Sequence, residues 1–202
     1  MIEQLGHDLL ISSLRALAWT SVSFVVGIAL GYICYYSVIL RRLLMPPVNF
    51  LRHISAFCWL PVIIIIWGIG ELSVGIVLLF AMLFNAIVIS CGVFGRIRQD
   101  LLDTAALDGA GDRAILSKIE LPLAIPDLIE LYRILWSVAW TAIIAAEMLG
   151  VSSGMGYRLL DFRYLLEYRA MSGYILVIGT VGVLTDYLLQ RLVRFSKAKL
   201  FE

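Results

Sequence analysis

Three long stretches of the chain contain no charged side chain, and they constrain its fold more than any other feature. They run from Ala16 to Leu40, from Ile54 to Gly70 and from Leu72 to Gly95. The first and third exceed the roughly 20 residues that a helix needs to cross a bilayer core. The second is shorter, and we expect Leu51–His53 to complete it. These stretches predict several transmembrane helices.

Composition supports a membrane protein. Hydrophobic residues make up 61% and charged residues 15% of the 202 positions, whereas a soluble domain carries about a quarter charged residues. The net charge of +1 gives no reason to expect a nucleic-acid partner. Two further apolar segments hold a few charges, which suggests faces turned toward protein. We therefore predict an all-α integral membrane protein, a single domain over residues 1–202, with five spans near 14–38, 51–69, 72–95, 128–149 and 170–190.

Lysine and arginine are unequally distributed between the two sides of such a bundle. If the N-terminus is external, one side holds Arg41, Arg42, Arg52, Arg96, Arg98, Arg113, Lys118, Arg191, Arg194, Lys197 and Lys199. The other side holds Arg15, at the edge of a span, with Arg158, Arg163 and Arg169. Because cytoplasmic loops carry the excess of basic residues, the first side is predicted to be cytoplasmic. The N-terminus is then external and the C-terminus cytoplasmic.

We assign no functional chemistry to the start of the chain, to the cysteines or to the histidines. Glu3 and Asp8 stand where a cleaved signal would be basic, so the first span is expected to remain as a helix. The cysteines lie in or beside apolar spans without a Cys-x-x-Cys pair, and we expect them to be packing residues: Cys34, Cys58 and Cys91. The two histidines are far apart. We expect no metal site and no bound cofactor.

Prolines suggest where the helices end or bend. Pro46-Pro47 is predicted to end the segment after the first span, because proline cannot donate an amide hydrogen and restricts the residue before it. Pro61 is predicted to kink the second span. The stretch Trp67–Glu71 is predicted to form a short external turn.

The segment between the third and fourth spans is unusually long and polar. From Arg96 to Glu120, nine of 25 residues are charged, whereas connections in a helical bundle usually take about 2–8 residues. Asp100 can cap a first helix, one face of which consists of Leu102, Ala105, Ala106 and Gly109. Gly109 and Gly111 supply a turn. Asp112 can cap a second helix, Arg113–Ile119, which Leu121-Pro122 is predicted to end.

The sequence Asp103-Thr104-Ala105-Ala106-Leu107-Asp108-Gly109, followed thirteen residues later by Pro122, resembles the EAA loop of binding-protein-dependent ABC importers. In that family the loop begins Glu-Ala-Ala, has glycine six positions after the acid and ends in Leu-Pro. Here aspartate replaces the glutamate and threonine the first alanine. The resemblance implies a coupling loop over residues 96–122 whose two short helices dock into an ATPase subunit. The implied docking residues are Asp103, Ala105, Ala106, Gly109, Ala110, Arg113 and Pro122.

Other short sequence segments resemble one branch of these permeases. Leu60-Pro61, Trp67–Glu71, Ala146–Gly150 and Ser152–Tyr157 are similar to permeases for nitrate, sulfonates and taurine, a group with relatives for bicarbonate and vitamin-precursor pyrimidines. The resemblance implies an importer subunit for a small solute, expected to be such an anion. Family members commonly carry a further N-terminal helix, which is missing here. The sequence is then expected to be a compact variant or a shortened reading frame.

The resemblance also implies partners. The sequence contains no Gly-x-x-x-x-Gly-Lys-Ser/Thr phosphate-binding loop, so ATP must be bound by separate ATPase subunits. A second permease copy, expected to form a homodimer, and an external solute-binding protein complete the implied assembly in the bacterial inner membrane. The alternative is an ion-coupled secondary transporter or channel that works without an ATPase. No His-rich or Ser/His/Asp constellation supports a membrane enzyme.

Charged residues within the spans leave some alternatives open. Glu147 either lines the pathway or its gate, or caps the external end of the fourth span in water. Asp127, Glu130 and Arg133 are expected to form an ion-pair set at the inner membrane face. Asp186 either pairs with Arg191 or faces the interior of the bundle.

Overall fold

The computed structural model describes residues 2–97, 101, 104–105, 107–109 and 111–200, and the regular structure within these ranges is helical. A 3-10 turn over Ala56–Trp59 precedes the helix that begins at Leu60. A π-helical segment over Leu116–Glu120 joins the helix that ends at Ile115 to the helix that begins at Leu121. The helices are α1 (Ile2–Tyr36), α2 (Val38–Leu51), α3 (Leu60–Trp67), α4 (Glu71–Gly95), α5 (Asp112–Ile115), α6 (Leu121–Gly150), α7 (Met155–Tyr164) and α8 (Tyr168–Leu200).

The predicted fold class is confirmed. The described part of the chain contains four helices that are long and apolar enough to cross a membrane, or five spans if one bent pair counts as one. The four are Gln4–Tyr36, Glu71–Gly95, Asp112–Gly150 and Tyr168–Ser196. Helix α1 has 35 residues and is therefore about 52 Å long, longer than the bilayer core of about 30 Å.

Small residues bring α1 and α4 into close contact. A Cβ atom built on Gly27 would lie 2.3 Å from the Cβ atom of Ala86, and one built on Gly31 would lie 1.8 Å from the Ser90 hydroxyl. The Ser90 hydroxyl also donates a 2.9 Å hydrogen bond to the Gly27 carbonyl. Glycine four residues apart on one helix, facing alanine and serine on another, is a common way for membrane helices to approach closely.

The second predicted span, near residues 51–69, is not a single kinked helix. It begins at the last residue of α2 and contains a break, the 3-10 turn and α3, and the axes of α2 and of the segment Ala56–Trp67 meet at 88°. Pro61 lies in the first turn of α3, where the missing amide hydrogen costs least. The break, residues 52–55, therefore replaces the expected proline kink.

The prediction that Pro46-Pro47 ends a helix was also wrong, because both prolines lie inside α2. Their missing amide hydrogens leave the carbonyl groups of Arg42 and Leu43 without a donor from the helix. Both of these residues are exposed, so their carbonyl groups stay accessible to other donors. Ser37 accepts a 3.3 Å hydrogen bond from the Leu40 amide and caps the start of α2.

The predicted helix Arg113–Ile119 does not end at Leu121-Pro122. It continues through the π-helical segment into α6, and Pro122 lies in the first turn of α6. The amide of Leu121 donates to the carbonyl of Leu116, five residues earlier, which is the wider π-type hydrogen bond. Pro122 is thus accommodated where the hydrogen-bond register changes, and the second half of the predicted coupling loop is continuous with a membrane-length helix.

Helix α8 packs along α6 by a row of side-chain contacts. Trp136 and Trp140 stack with ring centroids 6.0 Å apart. The Trp136 indole donates to the Thr185 hydroxyl at 3.0 Å, and the Trp140 indole donates to the Ile178 carbonyl at 3.1 Å. These contacts leave the opposite face of α8 exposed, which is the arrangement expected for a helix bordering lipid.

Candidate functional site

The residues implied for ATPase docking are only partly described. Ala105 is helical, Gly109 lies in a turn, Arg113 lies in α5 and Pro122 lies in α6. The other three implied residues lie outside the described residues: Asp103, Ala106 and Ala110. The role of the whole set stays a prediction from the resemblance.

The described residues around Gly109 form a turn that faces open space. The Asp108 amide donates a 3.0 Å hydrogen bond to the Thr104 carbonyl, as in one turn of α-helix. Gly109 has φ of +83°, a conformation that L side chains rarely adopt, and a Cβ atom built there would meet nothing within 4 Å. Leu107 is 88% exposed. This exposed turn leads through Gly111 into α5.

Glu120 connects the segment between α4 and α6 to α1. Its carboxylate is buried and accepts hydrogen bonds from the Tyr32 and Tyr35 hydroxyls at 3.1 and 3.3 Å. Tyr36 adds a 3.3 Å hydrogen bond to Asp112 at the start of α5. The sequence analysis missed this contact, although three tyrosines at helical spacing near the end of an apolar span were a signal. Through it, α1 holds both ends of the stretch from α5 to the π-helical segment.

At the opposite end of the bundle, Arg15 is the centre of a buried ionic cluster. Its Nη1 atom lies 2.7 Å from Glu147 Oε1, and its Nε atom donates to Glu71 Oε2 at 2.6 Å. Nη2 contacts the other Glu71 oxygen, and the two Nη atoms also donate to the carbonyl and hydroxyl of Ser153, both at 2.8 Å. All five guanidinium donors are therefore used. The cluster joins α1, α4, α6 and the turn before α7.

Glu147 does not cap α6 in water, because its side chain is completely buried. Besides Arg15, it accepts hydrogen bonds from the Ser12 hydroxyl at 2.8 Å and the Gly156 amide at 3.0 Å. A Cβ atom on Gly154, which has φ of +103°, would lie 2.4 Å from Glu147 Oε1. The turn between α6 and α7 therefore closes over the carboxylate. The other predicted role of Glu147, in which it lines the pathway or its gate, stays a prediction.

A second ion pair extends this contact between helix ends. Asp8 is buried on α1, and its carboxylate accepts from Arg158 Nε at 3.1 Å and from the Tyr174 hydroxyl at 3.2 Å. The hydrogen bond to Asp8 raises the pKa of the Arg158 guanidinium above its ordinary value. Arg158 also lies 3.4 Å from Asp161 on α7. These bonds attach α7 and α8 to the first two turns of α1.

In the first half of α6, Arg133 pairs with two carboxylates. Its guanidinium lies 2.8 Å from Glu130 on the same helix and 2.8 Å from Asp186 on α8. The predicted pair of Glu130 and Arg133 is confirmed. Asp186 pairs with Arg133 on α6 rather than with Arg191, so it faces a neighbouring helix of the bundle, in line with the second of its two predicted placements. Asp127, the third member of the predicted set, lines a small cavity that Arg96 also lines.

The family model for the inner membrane component of binding-protein-dependent transport systems matches residues 23–200. The match extends over most of the chain and includes residues 96–122, the predicted coupling loop, and every helix from α2 to α8. The chain belongs to this family.

Two relatives illustrate the range of similarity. A probable ABC transporter permease of Brucella melitensis is 27% identical over 187 residues, which are 93% of this permease and 76% of the relative. A putative aliphatic sulfonates transport permease of Bacillus subtilis is 26% identical over 192 residues, 95% and 69% of the two chains. Other relatives are named as permeases for taurine, nitrate and bicarbonate. The branch expected from the sequence is confirmed.

The fold of the permease is similar to a solved structure of an inward-facing MetNI methionine ABC transporter. The TM-score is 0.74 at 21% identity, covering 90% of the permease and 93% of the other chain. Together with the family match, this makes the permease the transmembrane subunit of an ATP-driven importer, which forms the translocation pathway for a small solute. The comparisons give no support to an ion-coupled secondary transporter or channel.

Proposed function

We propose that movement of the ATPase opens the permease alternately to the two sides of the membrane. The movement is transmitted through the elbow, which is the turn at Gly109 together with the helical segment that follows it from Asp112 to Glu120. The observation that carries this proposal is the continuity of the elbow with the membrane helices. From Asp112 the chain continues without a break to Gly150, and Glu120 ties the same segment to Tyr32 and Tyr35 on α1. A rigid connection of this kind transmits a push at the elbow to two spans at once. Coupling then requires only that the ATPase contact the elbow differently in the two states.

The partners in this proposal are two cytoplasmic ATPase subunits, a second copy of the permease and an external solute-binding protein. The exposed turn at Leu107 and Gly109 is the ATPase-docking surface, and the small residues Ala105 and Gly109 allow close approach. ATP is bound by the ATPase subunits, because the permease sequence lacks a phosphate-binding loop. The permease itself therefore hydrolyses no ATP, binds no cofactor and acts as a single membrane domain.

We assign the solute to the class of small anionic or zwitterionic solutes. Relatives of the permease are named for sulfonates, taurine, nitrate and bicarbonate, all of which carry a compact oxygen-bearing anionic group. The external binding protein selects among such solutes before the permease receives them. The ligand retained by the co-encoded binding protein after purification would identify the solute directly.

Transport is expected to depend on the partner subunits. Reconstituted alone in liposomes, the permease should show neither ATP hydrolysis nor uphill uptake of solute. Addition of the matching ATPase inside and the binding protein outside should restore both activities, whereas ATPase without permease should restore only the first. Concentrative uptake by the permease alone, driven by an ion gradient, would contradict the proposal.

The proposed orientation has the N-terminus outside and the elbow and C-terminus in the cytoplasm of a bacterial inner membrane. Single cysteines at Asp108 and Ser152, both exposed positions, can be compared in a variant whose native cysteines are replaced by serine. An impermeant thiol reagent added to intact cells with a permeable outer membrane should label the cysteine at position 152 and leave that at 108 unlabelled. Lysis should make both react. Labelling of position 108 in intact cells would reverse the orientation.

A further inference from the structure

The break between α2 and α3 lines a cavity with a cationic side chain. The cavity has a volume of about 310 Å³ and lies between the break, α4 and α6. Arg52 and Ser55 border it from the break, Phe80 from α4, and Val138 and Thr141 from α6. This volume lies at the lower end of the range for small-molecule sites, about 300–1,000 Å³.

The cavity lies midway across the spanning helices. Phe80 is nine residues from the start of α4 at Glu71, and Thr141 is nine residues from the end of α6 at Gly150. At 1.5 Å per residue both positions are about 14 Å from the same end of the bundle, close to half of a hydrocarbon core about 30 Å thick. Arg52 therefore does not lie at the cytoplasmic surface, where the distribution of basic residues had placed it. Non-helical backbone at this depth is tolerated where it lines a cavity.

The charge of Arg52 distinguishes this cavity. Three arginines that lie between helices have carboxylate partners: Arg15, Arg133 and Arg158. For Arg52 no ion pair is found within the part of the chain that the structure describes, and this exposed residue borders the cavity. Ionisable residues within membrane spans usually pair with one another or face a water-filled passage that carries a solute. The arrangement leaves a positive charge available to a ligand.

A neighbouring groove provides a comparison. It lies between α6 and α8, has a volume of about 680 Å³ and shares Thr141 with the cavity. The charged residue in its lining is Asp186, whose carboxylate is paired with Arg133. This groove therefore offers an anionic group no cationic side chain among the described residues of its lining, unlike the cavity at the break.

We propose that the cavity at the α2–α3 break is an intramembrane binding site for the anionic group of the transported solute, with the Arg52 guanidinium as its counter-charge. The proposal rests on the proposed function, since it assumes that the open face of α6 borders the translocation pathway. A guanidinium suits such a ligand, because its planar donors match the oxygens of a carboxylate or sulfonate. The Ser55 hydroxyl, also in the lining, is placed to add a hydrogen bond.

The electrostatic character of the cavity can be measured with two small thiol reagents of opposite charge. A single cysteine replaces Ser55 or, separately, Thr141, in an assembled transporter whose native cysteines are serine. We compare rates for the anionic sulfonatoethyl and the cationic trimethylammonium-ethyl methanethiosulfonates, each divided by its rate with free 2-mercaptoethanol. The normalised rates should favour the anion by about tenfold near an unpaired guanidinium. Adding Arg52→Gln should abolish the preference, and Arg52→Lys should retain it.

A cysteine at Val183, which lines the groove between α6 and α8, is the matched control and should show no preference for the anion. Equal normalised rates at positions 55 and 141, or no reaction of either position with either reagent, would overturn the proposal. The assay is repeated in phosphatidylcholine liposomes with and without phosphatidylglycerol. A preference that persists in both supports a solute site, whereas its loss with phosphatidylglycerol assigns the cavity to a lipid phosphate and overturns the proposal.

A failure of the proposed site can be distinguished from a failure of the proposed function. A transporter without ATP-driven uptake would refute the proposed function, although the reagents could still reveal a cationic cavity. Equal reagent rates in a transporter that accumulates solute would overturn only the site at Arg52.

Discussion

Replacing Arg15 with methionine is expected to destabilise the permease by about 3–5 kcal/mol, the cost of removing one partner from a buried ion pair. Methionine keeps much of the side-chain volume but leaves the buried Glu147 carboxylate without its counter-charge. Ser153 loses two hydrogen-bond donors from Arg15 as well. The turn between α6 and α7 should then keep only its weaker attachment to α1 through Ser12, which accepts a hydrogen bond from the Met155 amide.

Thermal unfolding of the purified protein in detergent would measure this effect. We expect Arg15→Met to lower Tm by about 6 °C or more, since about 1 kcal/mol corresponds to 2–4 °C in a domain of this size. Arg163→Met is the matched control, because Arg163 is exposed on α7, and its Tm should stay near that of the native protein. The double variant Arg15→Met/Glu147→Met should be more stable than Arg15→Met alone, because it leaves no buried charge unpaired. A native Tm for Arg15→Met would mean that the cluster contributes little to stability.

The second large effect is expected at the elbow, where Gly109→Leu should abolish both ATPase binding and transport. A leucine at φ of +83° costs about 1–2 kcal/mol in local strain. Its side chain would also occupy the space in front of the turn, into which the proposed ATPase packs. Displacing a central close contact usually removes most of the binding energy of an interface. Expression and membrane insertion should stay near normal, because nothing lies within 4 Å of the position.

Copurification of the ATPase with tagged permease, together with solute uptake in cells, would test this expectation. Gly111→Leu is an informative comparison, since Gly111 has φ of −73° and needs no left-handed conformation. Asp108→Ala, at an exposed position of the same turn, should have a milder effect than Gly109→Leu. If Gly109→Leu binds its ATPase at native strength and transports, the elbow is only a connector between spans.

The sequence was sufficient to predict those elements whose signals lie within a short stretch of residues. Uncharged stretches longer than a bilayer core predicted membrane helices, because the cost of burying charge in lipid is felt residue by residue. Gly109 was expected at a turn, and it has the positive φ that glycine adopts most easily. The loop around it carried enough residues in the right spacing to indicate the family.

The errors all involved relations between elements. The two prolines of α2 and Pro122 were expected to end helices. The prolines of α2 are tolerated because the carbonyl groups left without a donor belong to exposed residues. Pro122 is tolerated because it lies in the first turn of α6, where the hydrogen-bond register changes. The sequence also did not reveal that the chain turns by 88° next to Arg52, which our proposal places at a cavity within the depth of the spans. Asp186 was given two possible roles, and its actual partner lies 53 residues away in sequence.

The amino-acid sequence by itself therefore determined that this chain is a helical membrane protein of the importer family, and which segment faces the ATPase in our proposal. Those conclusions depend on hydrophobicity and on short motifs, which act over one or two helical turns. Only the tertiary structure decided which charges are paired. Arg15 and Glu147 are separated by 132 residues, and Arg133 and Asp186 by 53 residues. The energy of a charge in a membrane protein depends on its neighbours in space, and packing alone selects them.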